Sequence, residues 1–339
     1  MTLFEDLRIL CELPGVSGRE EPVRDYIISQ LPDDVTYETD ALGNLYVEKK
    51  GANPPKNKVA LFAHMDEVGL MVTYITDEGY LKFDEVGGID PAVLIGRTVR
   101  LECGLVGVIA LKALHLCKGD ESKKIPELRD LCIDIGAKDR AEAEQYVPLG
   151  SWAVYRSDYV EFGDSRVKMK ALDDRIGCAL LLDLIRSDLP YDTTFVFTVQ
   201  EEVGARGAAA AAFKVQPDIS VILETTTAGD ICGVEGEQKA CVLEGGPVVS
   251  YMDRVTVYDH ALYTLAMDTA KAAGIPAQTK TRVAGGNDAS TVQRTGAGSR
   301  VLAISAPTRY LHSPVDVIDK KDVENMQKLL KELLPKLGE

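Results

Sequence analysis

The chain has no apolar run approaching the roughly 18 residues that a membrane-spanning helix needs. Its seven cysteines lie scattered from Cys11 to Cys241 with no CxxC pair, which argues against a disulfide framework or a zinc knuckle and for reduced thiols. Basic residues are in deficit. Lys and Arg number 38 against 53 Asp and Glu, and the net charge of -15 disfavours nucleic acid and anionic membrane surfaces as partners. The opening MTLFEDLRIL is acidic and amphipathic, unlike a secretory signal. A cytoplasmic location is therefore expected. Internal repeats and low-complexity tracts are absent, and histidine is scarce, at four.

What is present is enough for two domains: 339 residues, 45% of them hydrophobic. The pairs Thr2/Glu5 and Ser17/Glu20 have capping-box spacing, followed by apolar positions (Leu3, Leu7, Leu10; Val23, Ile27) that predict two helices. Gly43-Asn44 predicts a hairpin turn, and Val59–Ala63 a buried strand ending at His64-Met65-Asp66. From about Val68 to Asp164 short alternating segments separated by glycines predict a β-rich unit, with short helices over Ile125–Leu131 and Arg140–Tyr146. Beyond it, helical and buried-strand patterns alternate as in a parallel sheet, closing with a helix through Val323, Met326, Leu330 and Leu333 capped by Asp319. The expected fold class is α/β: an α/β/α sandwich in two segments (1–67 and 165–339), interrupted by a β-rich, barrel-like insert (68–164).

Five places put metal-capable side chains at a strand end or an adjacent turn: His64-Met65-Asp66, Asp173-Asp174-Arg175, Glu201-Glu202, Glu224 and His312. In an open α/β sheet such ends converge on one crevice. Imidazole and carboxylate suit zinc, cobalt or manganese. Each place alone reads as well as a packed histidine, a helix cap or a solvated turn. Together they do not, because so many acids meeting at one sheet edge call for a cation. Adjacent glutamates in extended chain face opposite ways, so Glu201 and Glu202 can serve different targets.

The segments AHMDEVG, KALDDRIG, VQEEVGARGA, VILETTTAGD, GGNDAS and PTRYLHSP follow in order the motifs of the tetrahedral (TET) aminopeptidases, which the chain resembles over essentially its whole length. These are dinuclear metallo-aminopeptidases with a zinc-exopeptidase fold, some labelled glutamyl aminopeptidase or endoglucanase. The resemblance implies two divalent metal ions per subunit, zinc or cobalt, with manganese as a further option. His64, Asp173 and Glu224 would hold one, and Asp173, Glu202 and His312 the other. Glu201 would be the general base toward a metal-bridging hydroxide, and Asp66 would orient His64. It further implies release of N-terminal residues from short peptides, and dimers assembling into a tetrahedral dodecamer through the insert. Glu224 stands where the family more often has Asp, and Asn287 where Thr is commoner. Asp288 is expected to support the site without binding metal, and His115 and His260 to lie outside it. The family spans acidic, basic and aliphatic preferences; Lys280, Arg282 or Arg309 would meet an acidic substrate side chain, although Arg309 belongs to a general motif of the family and reads equally as structural. A glycoside hydrolase is the competing reading, but its paired acids flank the scissile bond about 5–9.5 Å apart. Two neighbouring glutamates beside histidines fit that poorly.

Overall fold

The structure, a computed structural model, describes residues 1–117 and 125–338. Helix α1 (Leu3–Glu12) opens with the expected capping box, Thr2 and Glu5 each accepting the other's backbone N–H. Helix α2 (Glu21–Ser29) does not begin that way. Ser17 caps nothing; its Oγ donates to Asp66 Oδ2 at 2.6 Å, and Glu20 holds the N-cap position without a side-chain cap. Strands β1 (Val35–Thr39) and β2 (Leu45–Lys49) form the predicted hairpin, and β3 (Val59–His64) is buried throughout.

The next strands curl into a closed barrel: β4 (Gly69–Ile75), β5 (Leu81–Val86), β6 (Thr98–Leu101), β7 (Val106–Leu111), β8 (Leu131–Asp134) and β9 (Trp152–Tyr155), in the order β4-β5-β8-β7-β6-β9. Closure leaves no free edge. Leu70, Val72, Leu81, Val99, Ile109 and Ile133 fill the interior, a core separate from that of the main sheet. Helices α3 (Pro91–Leu94) and α4 (Arg140–Tyr146) accompany the barrel. The helix expected over Ile125–Leu131 shrinks to one 3-10 turn at Leu128–Asp130, because Leu131 already pairs with Leu111 as barrel strand.

After β10 (Val160–Phe162) and β11 (Arg166–Met169) the chain alternates: α5 (Leu172–Ile185), β12 (Thr193–Thr198), α6 (Arg206–Val215), β13 (Ile219–Thr227), β14 (Val248–Val249), α7 (His260–Ala272), β15 (Gln278–Thr279), α8 (Ala289–Arg294), β16 (Arg300–Thr308), β17 (Asp316–Asp319) and α9 (Lys320–Leu337). The main sheet runs β1-β2-β12-β3-β13-β16-β14-β15, with β12, β3, β13 and β16 parallel at its centre.

Alternation along those central strands explains the sandwich and the site together. Val59, Leu61 and Ala63 of β3 join Phe195, Phe197, Val221 and Leu223 in the core under α1, α5 and α9. Ala60 and Phe62 point the other way, with Val196 and Ile222, toward Ala208 and Ala212 of α6 and Val292 of α8. His64 and Glu224 continue this second series. Since Ile222 pairs with Phe62, two residues further on Glu224 stands level with His64 on one face. Glu224 is not at the strand end as expected; β13 continues to Thr227, paired with β16.

Candidate active site

Five pieces of chain meet at the carboxyl end of the parallel strands. β3 delivers His64, the turn after β12 delivers Glu201 and Glu202, β13 delivers Glu224, and the loop after β16 delivers His312. Asp173 comes from the start of α5. Regular helix begins only after Asp174, whose Oδ1 accepts the Gly177 N–H at 2.9 Å as an N-cap does. Ala171, Gln200 and His312, in or beside three of these segments, all hold left-handed φ (56°, 57° and 62°), a conformation costly for residues with a Cβ.

His64 Nε2 lies 3.3 Å from Asp173 Oδ1 and 3.8 Å from Glu224 Oε2. His312 Nε2 lies 3.5 Å from Asp173 Oδ2 and 3.4 Å from Glu202 Oε2. Asp173 thus touches both imidazoles, one through each oxygen. The far nitrogens are engaged by carbonyls: His64 Nδ1 with Asp66 O at 3.2 Å and His312 Nδ1 with Gly88 O at 2.8 Å. A carbonyl only accepts, so Nδ1 carries the proton in each ring and Nε2 is free to ligate. The Asp66 carboxylate is 3.5 Å from His64 Nδ1 and serves mainly other donors: Ser17 Oγ and the Glu201 and Glu202 backbone N–H groups.

The charges are frustrated as they stand. Burial pushes the Glu201 and Glu224 carboxyls well above the ordinary range and Glu202 to about 7. Burial also opposes protonation of the imidazoles, but Glu224, Asp173 and Asp66 outweigh it at His64, and Asp173 and Glu202 raise His312 to about 10. Against its own burial, Asp173 is lowered by His312 and His64. Asp173 Oδ1 and Asp174 Oδ2 are buried without a hydrogen-bond partner. Donor atoms of His64, Asp173 and Glu202 lie within 4.8 Å of one another, as do those of His64, Asp174 and Glu224. Divalent cations fit this donor set, replacing protons on the imidazoles and neutralising the carboxylates. The approach of Asp174 was not expected; the adjoining acids of Asp173-Asp174 are the only sequence signal for it.

All the expected ligands and Glu201 are brought together, and Asp173, Glu201, Glu202, Glu224 and His312 line one cavity of about 360 Å³. Asp288 sits behind the site, accepting from Thr198 Oγ1 at 2.6 Å. His115 and His260 lie elsewhere, exposed. Lys280 and Arg282 line the cavity, whereas Arg309 is taken up by Asp230 through two hydrogen bonds of 2.8 and 2.7 Å. Gly88, which positions His312, carried no sequence signal.

A mixed α/β sheet with an inserted closed barrel, and a buried imidazole–carboxylate cluster lining a cleft at the carboxyl ends of its strands, has the features of an enzyme active site. A family model described as M42 glutamyl aminopeptidase matches residues 43–329, and the chain belongs to that peptidase family. It is 32% identical to the lysyl aminopeptidase of Pyrococcus furiosus over 99% of this chain and 98% of that one. It superposes on an aminopeptidase of Desulfurococcus kamchatkensis with a TM-score of 0.93, at 32% identity and coverage of 98% and 94%. With the TET1 peptidase of Pyrococcus horikoshii, described as able to assemble into a tetrahedron or a large octahedral shell, the TM-score is 0.86, at 36% identity and coverage of 98% and 99%.

Proposed function

We propose that the chain is a dinuclear metal-dependent aminopeptidase that releases N-terminal residues from short peptides. The observation that carries this reading is the double contact of Asp173, one oxygen toward His64 and the other toward His312. A carboxylate so placed suits two cations: one held by His64, Asp173 and Glu224, the other by Asp173, Glu202 and His312. Zinc or cobalt suits the donors best, with manganese as a further option. When bound, the cations supply Lewis-acid polarisation of the scissile carbonyl and make water at the site acidic. Glu201 would take a proton on its carboxylate from the attacking water as the water oxygen adds to the scissile carbonyl carbon, and would return that proton to the amine nitrogen as the C–N bond breaks. Asp66 holds the Glu201–Glu202 turn in place and backs His64.

We further propose residues 68–164 as an inserted assembly domain through which dimers build a tetrahedral dodecamer. The outer barrel surface, with Leu105, Val106, Val108 and Tyr74 exposed, supports association with further copies. Among the described residues no helix is long and apolar enough to cross a membrane. The cysteines among them are all free thiols, which suits the reducing cytoplasm.

The test is hydrolysis of short peptides and their N-acetylated counterparts. Stepwise release of N-terminal residues is expected, lost to a chelator and restored by zinc, cobalt or manganese, with the acetylated peptides resistant. Cleavage that survives chelation, or that ignores the acetyl group, would refute the reading. Relatives include a lysyl aminopeptidase and, in Lactococcus lactis, a glutamyl aminopeptidase, so likeness chooses no side chain.

A further inference from the structure

We infer that Tyr155, the last residue of barrel strand β9, is a positioning residue of the active site. It acts through a single buried water shared with Asp316, the carboxylate that braces the segments carrying His312 and Asp173. The inference rests on the dinuclear reading above, in which those two residues share the second cation with Glu202.

A small cavity of about 10 Å³ adjoins the cluster, with Tyr155, Asp173, Glu202, His312, Ser313 and Asp316 in its wall. That is room for one water. Tyr155 is 4% exposed, and its hydroxyl finds no hydrogen-bond partner among the described residues. Burial and the charge of Asp316 raise its pKa, so the phenol keeps its proton and needs an acceptor. A water supplies one and has two hydrogens of its own to give. Glu67, also in the wall, is already taken, with both oxygens 2.8 Å from Lys170 Nζ. Asp316 is the carboxylate whose charge acts most strongly on Tyr155, and it is the natural second partner. A cation in the cavity would answer the carboxylates but leave the phenol's proton unmatched.

Asp316 is buried and joins the two ligands. Its Oδ1 accepts the N–H of Ser313, one residue after His312, at 3.3 Å, and the N–H of Leu172, one residue before Asp173, also donates to its carboxylate. Two residues beyond Tyr155 the same stretch of chain holds the loop again, Ser157 Oγ donating to Pro314 O at 2.6 Å. That loop needs holding, since Tyr310 and His312 both carry left-handed φ (61° and 62°). Were Tyr155 only filling space beside the barrel, phenylalanine would serve without a polar atom to bury. The hydroxyl is explained by what it holds.

The test compares the unsubstituted protein with Tyr155→Phe, which removes one oxygen and leaves the ring. A crystal structure of the metal-loaded protein should show a water within hydrogen-bond distance of Tyr155 Oη and an Asp316 oxygen, and none in that place in the variant. Calorimetric titration of the metal-free proteins with zinc should resolve two binding steps. Tyr155→Phe should weaken one of them by about 10-fold, the low end for losing a group that orients ligands, and leave the other within about twofold. The Tm values of the two metal-free proteins should agree, because the ring stays packed; a filling role alone would lower that Tm and spare both zinc steps. A cavity without water, a metal ion there by anomalous scattering, or two zinc steps unchanged in Tyr155→Phe would overturn the inference and leave the dinuclear reading standing. Fewer than two zinc ions bound by the unsubstituted protein would refute the dinuclear reading, and the positioning role with it. If Tyr155→Phe does not fold, the unsubstituted protein decides: a water between Tyr155 and Asp316 sustains the inference, and its absence ends it.

Discussion

Asp66 Oδ1 accepts the backbone N–H of Glu201 at 2.9 Å. Its other oxygen takes the Glu202 N–H at 3.1 Å and the Ser17 hydroxyl at 2.6 Å, all in a fully buried position. One carboxylate therefore sets the turn that carries both glutamates, while the carbonyl of the same residue engages His64. An amide in its place has only one accepting oxygen and would face an N–H with its own NH2. Asp66→Asn should lower kcat by about 10–100-fold and weaken metal binding by a similar factor, the usual cost of losing a group that orients ligands. Steady-state kinetics with metal titration measure both, and full activity in the variant would remove Asp66 from the machinery.

The two glutamates should separate cleanly on substitution. Both line the cavity, but Glu202 stands 3.4 Å from His312 Nε2, whereas Glu201 makes no ion-pair contact with either imidazole among the described residues. Glu201→Gln should keep its metal and lose about 10²–10⁴ in kcat, the range for removing a general base. Glu202→Gln should lose metal. Elemental analysis alongside kinetics separates the outcomes, and metal loss in Glu201→Gln with retention in Glu202→Gln would reverse the assignment.

Much of this site was legible in the sequence because buried strands report themselves as bounded apolar runs. The run ending at His64 and the run ending before Glu201 and Glu202 each marked a strand and the end where its polar residues stand, but not the face each residue takes, since both strands are buried at every position. Asp173 and His312 were legible only by residue type, since each sits in an irregular segment held in place by left-handed backbone at Ala171 or at His312 itself. The contacts that orient ligands were not legible. Gly88 reaches His312 through a carbonyl that any residue possesses, from a position 224 residues away in the chain. Ser17 misled for a physical reason: a serine three residues before an acid can cap a helix, but here Asp66 offered a buried acceptor. The barrel was readable as short strands, while its closure depends on pairings such as β6 with β9 that no local pattern encodes.

The carboxylate cluster also predicts a large response to metal. Asp173, Asp174, Glu201, Glu202 and Glu224 crowd one buried region; burial favours protonation of all but Asp173, which the two imidazoles hold ionised. Cations that bind only the folded chain stabilise it by mass action, about 4 kcal/mol at a thousand times Kd. Stripping metal with a chelator should therefore lower Tm by several degrees, and zinc or cobalt should restore it. Differential scanning calorimetry at fixed protein concentration checks this; an unchanged Tm would mean that the cluster holds no metal.

Glu20 carries a pH dependence of the opposite sign to the usual carboxylate. Its Oε1 accepts the Gly18 and Gln200 N–H groups at 2.7 and 3.1 Å, but burial, with Asp66 adding repulsion, raises its pKa to about 7. A carboxyl whose pKa is higher folded than unfolded binds its proton more tightly in the folded state. Its contribution to stability is full below the unfolded pKa near 4.5 and is lost as pH rises through about 7. Glutamine keeps the accepting oxygen and removes the charge. Glu20→Gln should thus match the parent protein near pH 5 and exceed it by about 1–3 kcal/mol at pH 8, as that shift implies. Urea unfolding at the two pH values measures the difference. A variant less stable than the parent at pH 8 would show that the ionised carboxylate is worth more to Gln200, and to the glutamate turn that follows it, than its burial costs.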